Sequence, residues 1–219
     1  MIGIVIPAHN EEACLGVCLV AVIAAARHPA LRGEPVRVVV VLDDCDDGSL
    51  AVAQAHAVDV LQVQARNVGA ARAAGAHHLL QAGARWLAFT DADTVVSPDW
   101  LVAQLRLGAQ AVCGSVEVRD WSPHGDRGEA VRCHFERHYR DADGHRHIHG
   151  ANLGVCALAY QRAGGFAPLA CSEDVALVEA LQRSGATIAW SAAPRVVTSA
   201  RTHARARGGF GDTLLAMAS

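Results

Sequence analysis

The chain has 219 residues, a formal net charge of -3 and a hydrophobic fraction of 52%. That is enough apolar material for a single buried core without disulfide staples, and the charge balance excludes the strongly basic profile of a nucleic-acid binder. All 19 basic residues are arginines, so Schiff-base and P-loop lysines are excluded, and any phosphate must be met by arginine, backbone N–H groups or a metal.

The elements read as an alternation of strands and helices. Ile2 to Ile6 is a continuous apolar run suited to a central parallel strand, and Pro7 ends it. Asn10 then has the character of a helix N-cap, with Glu11 and Glu12 in the first turn, and the helix is expected to run to about Arg27. Val36 to Leu42 is a second buried strand, ending in the polar loop Asp43-Asp44-Cys45-Asp46-Asp47-Gly48-Ser49, in which Asp47 or Ser49 can cap a helix to about His56. A third strand is expected over Asp59–Gln64 and a helix over Asn67–Gly83. A fourth strand, Trp86–Thr90, delivers Asp91-Ala92-Asp93.

The second half reads less sharply. A helix to about Leu107 follows Ser97-Pro98, and a strand is expected over Ala111–Arg119. A helix is expected around Glu129–Tyr139 within a histidine-rich stretch, and a strand over Ala151–Tyr160. A helix over Glu173–Arg183 follows, with Ser172 as its cap, and then strands near Thr187–Trp190 and Arg195–Thr198. The pattern predicts an α/β fold with a mostly parallel, doubly wound, Rossmann-like sheet and helices on both faces. One domain is expected, with a nucleotide-binding half over 1–93 and an acceptor-binding half over 94–219.

Ligands of such sheets bind beyond the carboxyl ends of the strands, where the acidic clusters fall. Two carboxylates flanking Ala92 at a strand end can face one hard cation, and Mg²⁺ and Mn²⁺ share oxygen ligands with substrate phosphates. The same triplet also suits a solvated turn, so its weight comes from its position. Asp43 and Asp44 can accept hydrogen bonds from a nucleobase or ribose, or simply shape a polar loop. Glu173 and Asp174 can supply a general base near an acceptor, or complement a helix dipole. Arg201, Arg205 and Arg207 are the natural diphosphate partners, with His203 between them as a metal ligand or phosphate donor, or the stretch is simply a basic solvated segment. His134, His138, His145, His147 and His149 lack the cysteine or glutamate pattern of a structural zinc site and read as a polar acceptor loop.

The seven cysteines are odd in number and scattered without a CxxC pair, which suits reduced thiols in the cytoplasm. Met1 leads directly into an apolar strand, so no signal peptide is expected. The apolar stretch Ala13–Ala26 is too short to span a bilayer, and a peripheral membrane contact is left open.

Taken in order, Ile6-Pro7-Ala8-His9-Asn10-Glu11-Glu12, Asp43-Asp44, Asn67-Val-Gly69-Ala-Ala-Arg72-Ala-Ala-Gly75, Asp91-Ala92-Asp93, Gly150-Ala151-Asn152, Gly164-Gly165-Phe166 and Glu173-Asp174 resemble the family 2 glycosyltransferases of the GT-A fold. The resemblance implies a nucleoside-diphosphate sugar donor, a hydroxyl acceptor and Mg²⁺ or Mn²⁺ as cofactor. It implies that Pro7, Asn10 and Glu12 line the nucleotide pocket, that Asp43 or Asp44 meets the base, and that Asn67, Arg72, Arg201 and Arg205 belong to the donor site. Asp93 would be the main metal ligand, with Asp91 near the ribose or metal and His203 as an additional ligand. Asp174, beside Glu173, would be the general base of an inverting displacement. His9 stands where the family usually has tyrosine or phenylalanine, and Arg201 to Arg207 resembles the segment that closes over the diphosphate. A late histidine such as His203 also resembles the metal histidine of retaining GT-A enzymes. A nucleotidyltransferase would need a basic glycine-rich loop where Pro7 to Glu12 stands. A non-catalytic nucleotide-sugar-binding module is the other alternative.

Overall fold

The computed structural model describes residues 1–202. His203, Arg205 and Arg207 therefore lie outside the described residues. The first half alternates as expected: β1 (Ile2–Ala8), α1 (Leu15–Ala26), β2 (Val36–Asp43), α2 (Ser49–Gln54), β3 (Asp59–Val63), α3 (Val68–Gln81) and β4 (Trp86–Phe89). There follow β5 (Val95–Val96), α4 (Trp100–Arg106), β6 (Ala111–Gly114), β7 (Glu117–Val118), α5 (Gly128–His138), β8 (Leu153–Cys156), α6 (Ala157–Arg162), α7 (Glu173–Arg183), β9 (Ile188–Ser191) and β10 (Val196–Thr198).

A seven-stranded sheet has the order β3-β2-β1-β4-β8-β6-β9. It is parallel throughout except at β8, which runs antiparallel to both β4 and β6. A three-stranded sheet, β5-β10-β7, stands beside it. In β10, Val196 and Val197 pair antiparallel with Val96 and Val95, so the chain after β10 returns toward the acidic triplet before β5.

The apolar runs are buried on both faces because successive side chains point to opposite sides. Ile2, Ile4, Ile6, Val38, Val40 and Leu42 face α1 and α4 in one core. Val5, Val39 and Val41 face α3 and α7 in the other. Small residues let α3 lie close to the sheet. A Cβ on Gly75 would meet Val5 at 2.5 Å and Val41 at 2.9 Å.

Several sequence expectations are corrected. Asn10 is not a helix cap: its φ is 55°, in the left-handed region, and α1 starts at Leu15. Residues 111–119 form two strands in different sheets, because the chain turns out of the large sheet at Gly114, where the Asn152 amide fills the space a Cβ would need. That amide is a buried keystone. Its Nδ2 donates to the carbonyls of Ser115 (2.7 Å) and Pro194 (2.9 Å), and its Oδ1 accepts from Trp100 Nε1 (2.8 Å). Residues 151–160 hold only the short strand β8 before turning into α6. Ser172 precedes α7 with φ 59° and makes no side-chain capping bond. Among the described residues, no helix is long and apolar enough to cross a membrane.

Candidate functional site

The carboxyl ends of β1, β2 and β4 meet on one edge of the sheet and bring the expected loops together. Pro7 lies past the end of the β1–β4 ladder, which covers only Ile2–Val5, so its missing N–H leaves that ladder intact. Beyond it, the loops after β1 and β2 are laced to each other. Asn10 Nδ2 donates to Asp46 (2.6 Å), and Asn10 Oδ1 accepts from the Asp46 N–H (2.9 Å). Glu12 Oε2 accepts from the Gly48 N–H (2.7 Å), while Asp47 accepts from the Glu12 N–H (3.0 Å). The left-handed backbone of Asn10 is therefore part of a two-loop clasp, in which Asn10 and Glu12 hold the loops after β1 and β2 together.

Asp43 and Asp44 separate in role. Asp43 is 4% exposed, and its carboxylate accepts from the N–H groups of Ala65 (2.7 Å), Arg66 (2.9 Å) and Asn67 (2.7 Å). It fastens the loop that enters α3. Asp44, at φ 51°, pairs with Arg66 on the surface and is the aspartate open to a ligand. Asn67 caps α3, accepting from the Ala70 N–H (2.8 Å) and donating to the Leu169 carbonyl (2.8 Å).

Arg72 occupies the centre. Its side chain is 4% exposed and pairs with Asp91 (2.5 Å) through one nitrogen and with Glu173 through the other. Burial opposes its charge, yet Asp91 and Glu173 keep the guanidinium ionised. Two glycines make room for this. A Cβ on Gly150 would meet the Arg72 guanidinium at 2.3 Å, and one on Gly69 would meet the Ala167 carbonyl at 2.4 Å where α3 approaches α7. Arg72 thus ties the triplet after β4 to the start of α7, a placement different from a direct diphosphate contact.

Within Glu173-Asp174 the two carboxyls also diverge. Glu173 is buried, which raises its pKa against the opposing pull of Arg72. Asp174 is half-buried and oriented by backbone donors, accepting from the Gly150 N–H (2.8 Å) and the Val175 N–H (2.8 Å). Asp174 is the member of the pair available to a ligand.

Asp93 is held on the other side by Arg201 (2.5 Å), which also forks onto Glu11 with contacts of 2.6 and 2.9 Å. Burial lifts the Asp93 pKa to about 6; Arg201 opposes the rise, and Asp91 and Glu11 add to it. Glu11 was given only a dipole role by its place in the sequence. Its partner lies 190 residues away, so no local pattern reveals the pairing.

His145, His147 and His149 stack in series, His134 stacks on His138, and His149 directly precedes Gly150, whose N–H meets Asp174. His147 lies on Tyr139 at a centroid distance of 4.0 Å, and the Tyr139 hydroxyl meets His149 Nε2 at 3.0 Å. Burial drives the His149 pKa down to about 3, reinforced by His147 and His145.

The model of the family described as "Glycosyl transferase family 2" matches residues 3–160. The chain belongs to glycosyl transferase family 2. No curated protein matches the sequence significantly. Among solved structures, the mannosyltransferase PcManGT from Pyrobaculum calidifontis, in complex with GDP-Man and Mn²⁺, is similar at 18% identity and a TM-score of 0.67, covering 94% of this chain and 58% of that one. S. aureus TarS 1-349 in complex with UDP-GlcNAc gives 13% identity and a TM-score of 0.67, covering 99% and 65%. GalNAc-T7 with UDP, GalNAc and Mn²⁺ gives 16% and 0.67, covering 91% and 44%. The chain therefore spans less than two thirds of each of these structures, and the likeness establishes the GT-A fold of this family 2 member.

Proposed function

We propose that this family 2 member transfers a glycosyl group from a nucleoside-diphosphate sugar to a hydroxyl acceptor, with inversion, using a divalent cation at Asp91 and Asp93 and Asp174 as general base. The observation that carries the reading is the Arg72 bridge. It sets an acidic triplet, suited to a cation and diphosphate, beside a carboxylate suited to an acceptor proton. The structures bound to GDP-Man and UDP-GlcNAc support this donor class.

The donor set fits Mg²⁺ or Mn²⁺. Asp91 and Asp93 are hard oxygen donors at the end of one strand, and burial raises the Asp93 pKa to about 6, with Arg201 opposing and Asp91 and Glu11 adding to the rise. Among the described residues no group of three or more His, Cys, Asp or Glu side chains is placed to hold a metal ion, so a cation here would have two carboxylates at most and would take its remaining ligands from phosphate and water. Such a cation, when bound, would neutralise the diphosphate leaving group. Asp44 is the candidate for the base, and Pro7, Asn10 and Glu12 hold the pocket rim.

Asp174 is set by the Gly150 N–H so that a carboxylate oxygen can take the acceptor's proton. As that proton moves to Asp174, the acceptor oxygen bonds to C1 of the sugar, and the C1–O bond to the diphosphate breaks with its electron pair leaving on the phosphate oxygen. Glu173, held by Arg72, is positioned to support this geometry without receiving the proton. Seven free thiols suit a cytoplasmic setting.

Hydrolysis of a panel of nucleotide sugars, with and without EDTA, tests the reading. At least one donor should be hydrolysed only with Mn²⁺ or Mg²⁺ present. Turnover unaffected by EDTA, or no binding of any nucleotide, would contradict it.

A further inference from the structure

Arg201 stands where a divalent cation would have to act. Its Nη2 lies 2.5 Å from Asp93 Oδ2, and its two terminal nitrogens fork onto Glu11 at 2.6 and 2.9 Å. Mg²⁺ sits about 2.0–2.1 Å from its oxygen ligands, so a cation on Asp93 would bring a second positive charge against a guanidinium that already neutralises the same carboxylate. The placement is built by the fold. β10 pairs with β5 immediately after the triplet, Thr94 donates to the Thr198 hydroxyl (2.9 Å), and the Arg201 N–H is received by Ser199 Oγ (3.1 Å). Charge explains why a cation belongs there. Two carboxylates withdrawn from water need a counter-charge, and Glu11 and Asp93 hold Arg201 ionised although burial works against it.

We propose that Arg201 is a tethered placeholder cation: it neutralises Glu11 and Asp93 in the donor-free enzyme and is displaced from Asp93 when the divalent cation and diphosphate bind. This rests on the reading of Asp93 as the metal ligand. Arg201 can leave without opening the core, because its side chain is 22% exposed and it lies beyond β10. Once released, its planar fork is a ready partner for the incoming diphosphate. Positive charge is then exchanged at the carboxylates as the donor arrives. The cation binds poorly alone and well together with its nucleotide.

Free Mn²⁺ measured by electron paramagnetic resonance, without nucleotide, reads this directly. Arg201→Gln should bind Mn²⁺ at least about tenfold more tightly than wild type, because a competing charge in contact with the ligand has gone. Arg201→Lys, which keeps the charge, should stay close to wild type. Asp93→Asn should weaken binding in both the wild-type and Arg201→Gln backgrounds. Equal Mn²⁺ affinity in wild type and Arg201→Gln, with loss in Asp93→Asn, overturns the placeholder while sparing the metal site. Mn²⁺ binding untouched by Asp93→Asn removes the metal assignment and the placeholder with it. Thermal melting supplies a second readout. In EDTA, Arg201→Gln should melt below wild type, and Mn²⁺ should restore it by more than it raises wild type. An Arg201→Gln protein that gains no more from Mn²⁺ than wild type also overturns the proposal.

Discussion

Two arginines each hold a pair of carboxylates at the same edge of the sheet, yet they are held differently. Arg72 is on a helix, buried to 4% exposure, and joins Asp91 to Glu173. Arg201 lies past β10, more than five times as exposed, and joins Glu11 to Asp93. The contrast separates a strut from a counter-ion. Arg72 cannot leave without stranding the buried Glu173 carboxylate and freeing Asp91, and Gly150 is small where a side chain would strike the guanidinium. Arg201 can leave for solvent or for a phosphate.

The sharpest division is expected within Glu173-Asp174. Asp174→Asn should lower transfer by about 10²–10⁴-fold in steady-state assays with donor binding spared, because it removes the proton acceptor and keeps the Gly150 contact. Glu173→Gln should show mainly a stability loss, since its carboxylate serves Arg72. Transfer at wild-type rate by Asp174→Asn would transfer the base role elsewhere.

Arg72→Met should destabilise the fold by about 3–5 kcal/mol in urea unfolding, the usual result of stripping one side from a buried ion pair. A loss below about 1 kcal/mol would place Arg72 with Arg201 and erase the distinction.

His149 extends the comparison to a base buried neutral. Its folded pKa of about 3 lies below the ordinary 6.5. The unfolded chain therefore takes up a proton below about 6.5 that the folded chain refuses down to about 3. This contribution is complete above pH 6.5 and lost as pH falls toward 3, by up to a few kcal/mol. His149→Asn should flatten that part of the stability profile. An unchanged acid profile would show that His149 is hydrated.

The smallest effect belongs to Arg201→Gln in EDTA. It leaves Glu11 and Asp93, at 10% and 15% side-chain exposure, without their counter-charge at a cost of about 1–3 kcal/mol, and melting should fall by about 2–4 °C for each kcal/mol lost in a chain of this size.

The first half of the chain was legible because its signals are local. Continuous β-branched runs such as Val36–Leu42 can be buried on both faces, and each ends in a polar loop at the edge where ligands bind. The helix over Glu173–Arg183 also matched to the residue, since its acidic first turn and apolar periodicity mark it. What failed depends on distant partners. The strand expected over 111–119 breaks because of Asn152. Asn10 adopts a left-handed conformation within the clasp formed with residues 46–48. The assignment of Arg72 to the donor could not be refined until α3 and α7 were seen together, although Gly69 and Gly150 were quoted in its motifs. Glu11 carried no signal because its partner is 190 residues away.

The central claim is that Asp93 holds a divalent cation which recruits a nucleoside diphosphate. Calorimetric titration of UDP and GDP into wild type and Asp93→Asn, each with Mn²⁺ and with EDTA, addresses it most directly. The account predicts that at least one nucleotide binds wild type with Mn²⁺, and that EDTA or Asp93→Asn removes that binding. Nucleotide binding of equal strength in EDTA, or in Asp93→Asn with Mn²⁺, would contradict it.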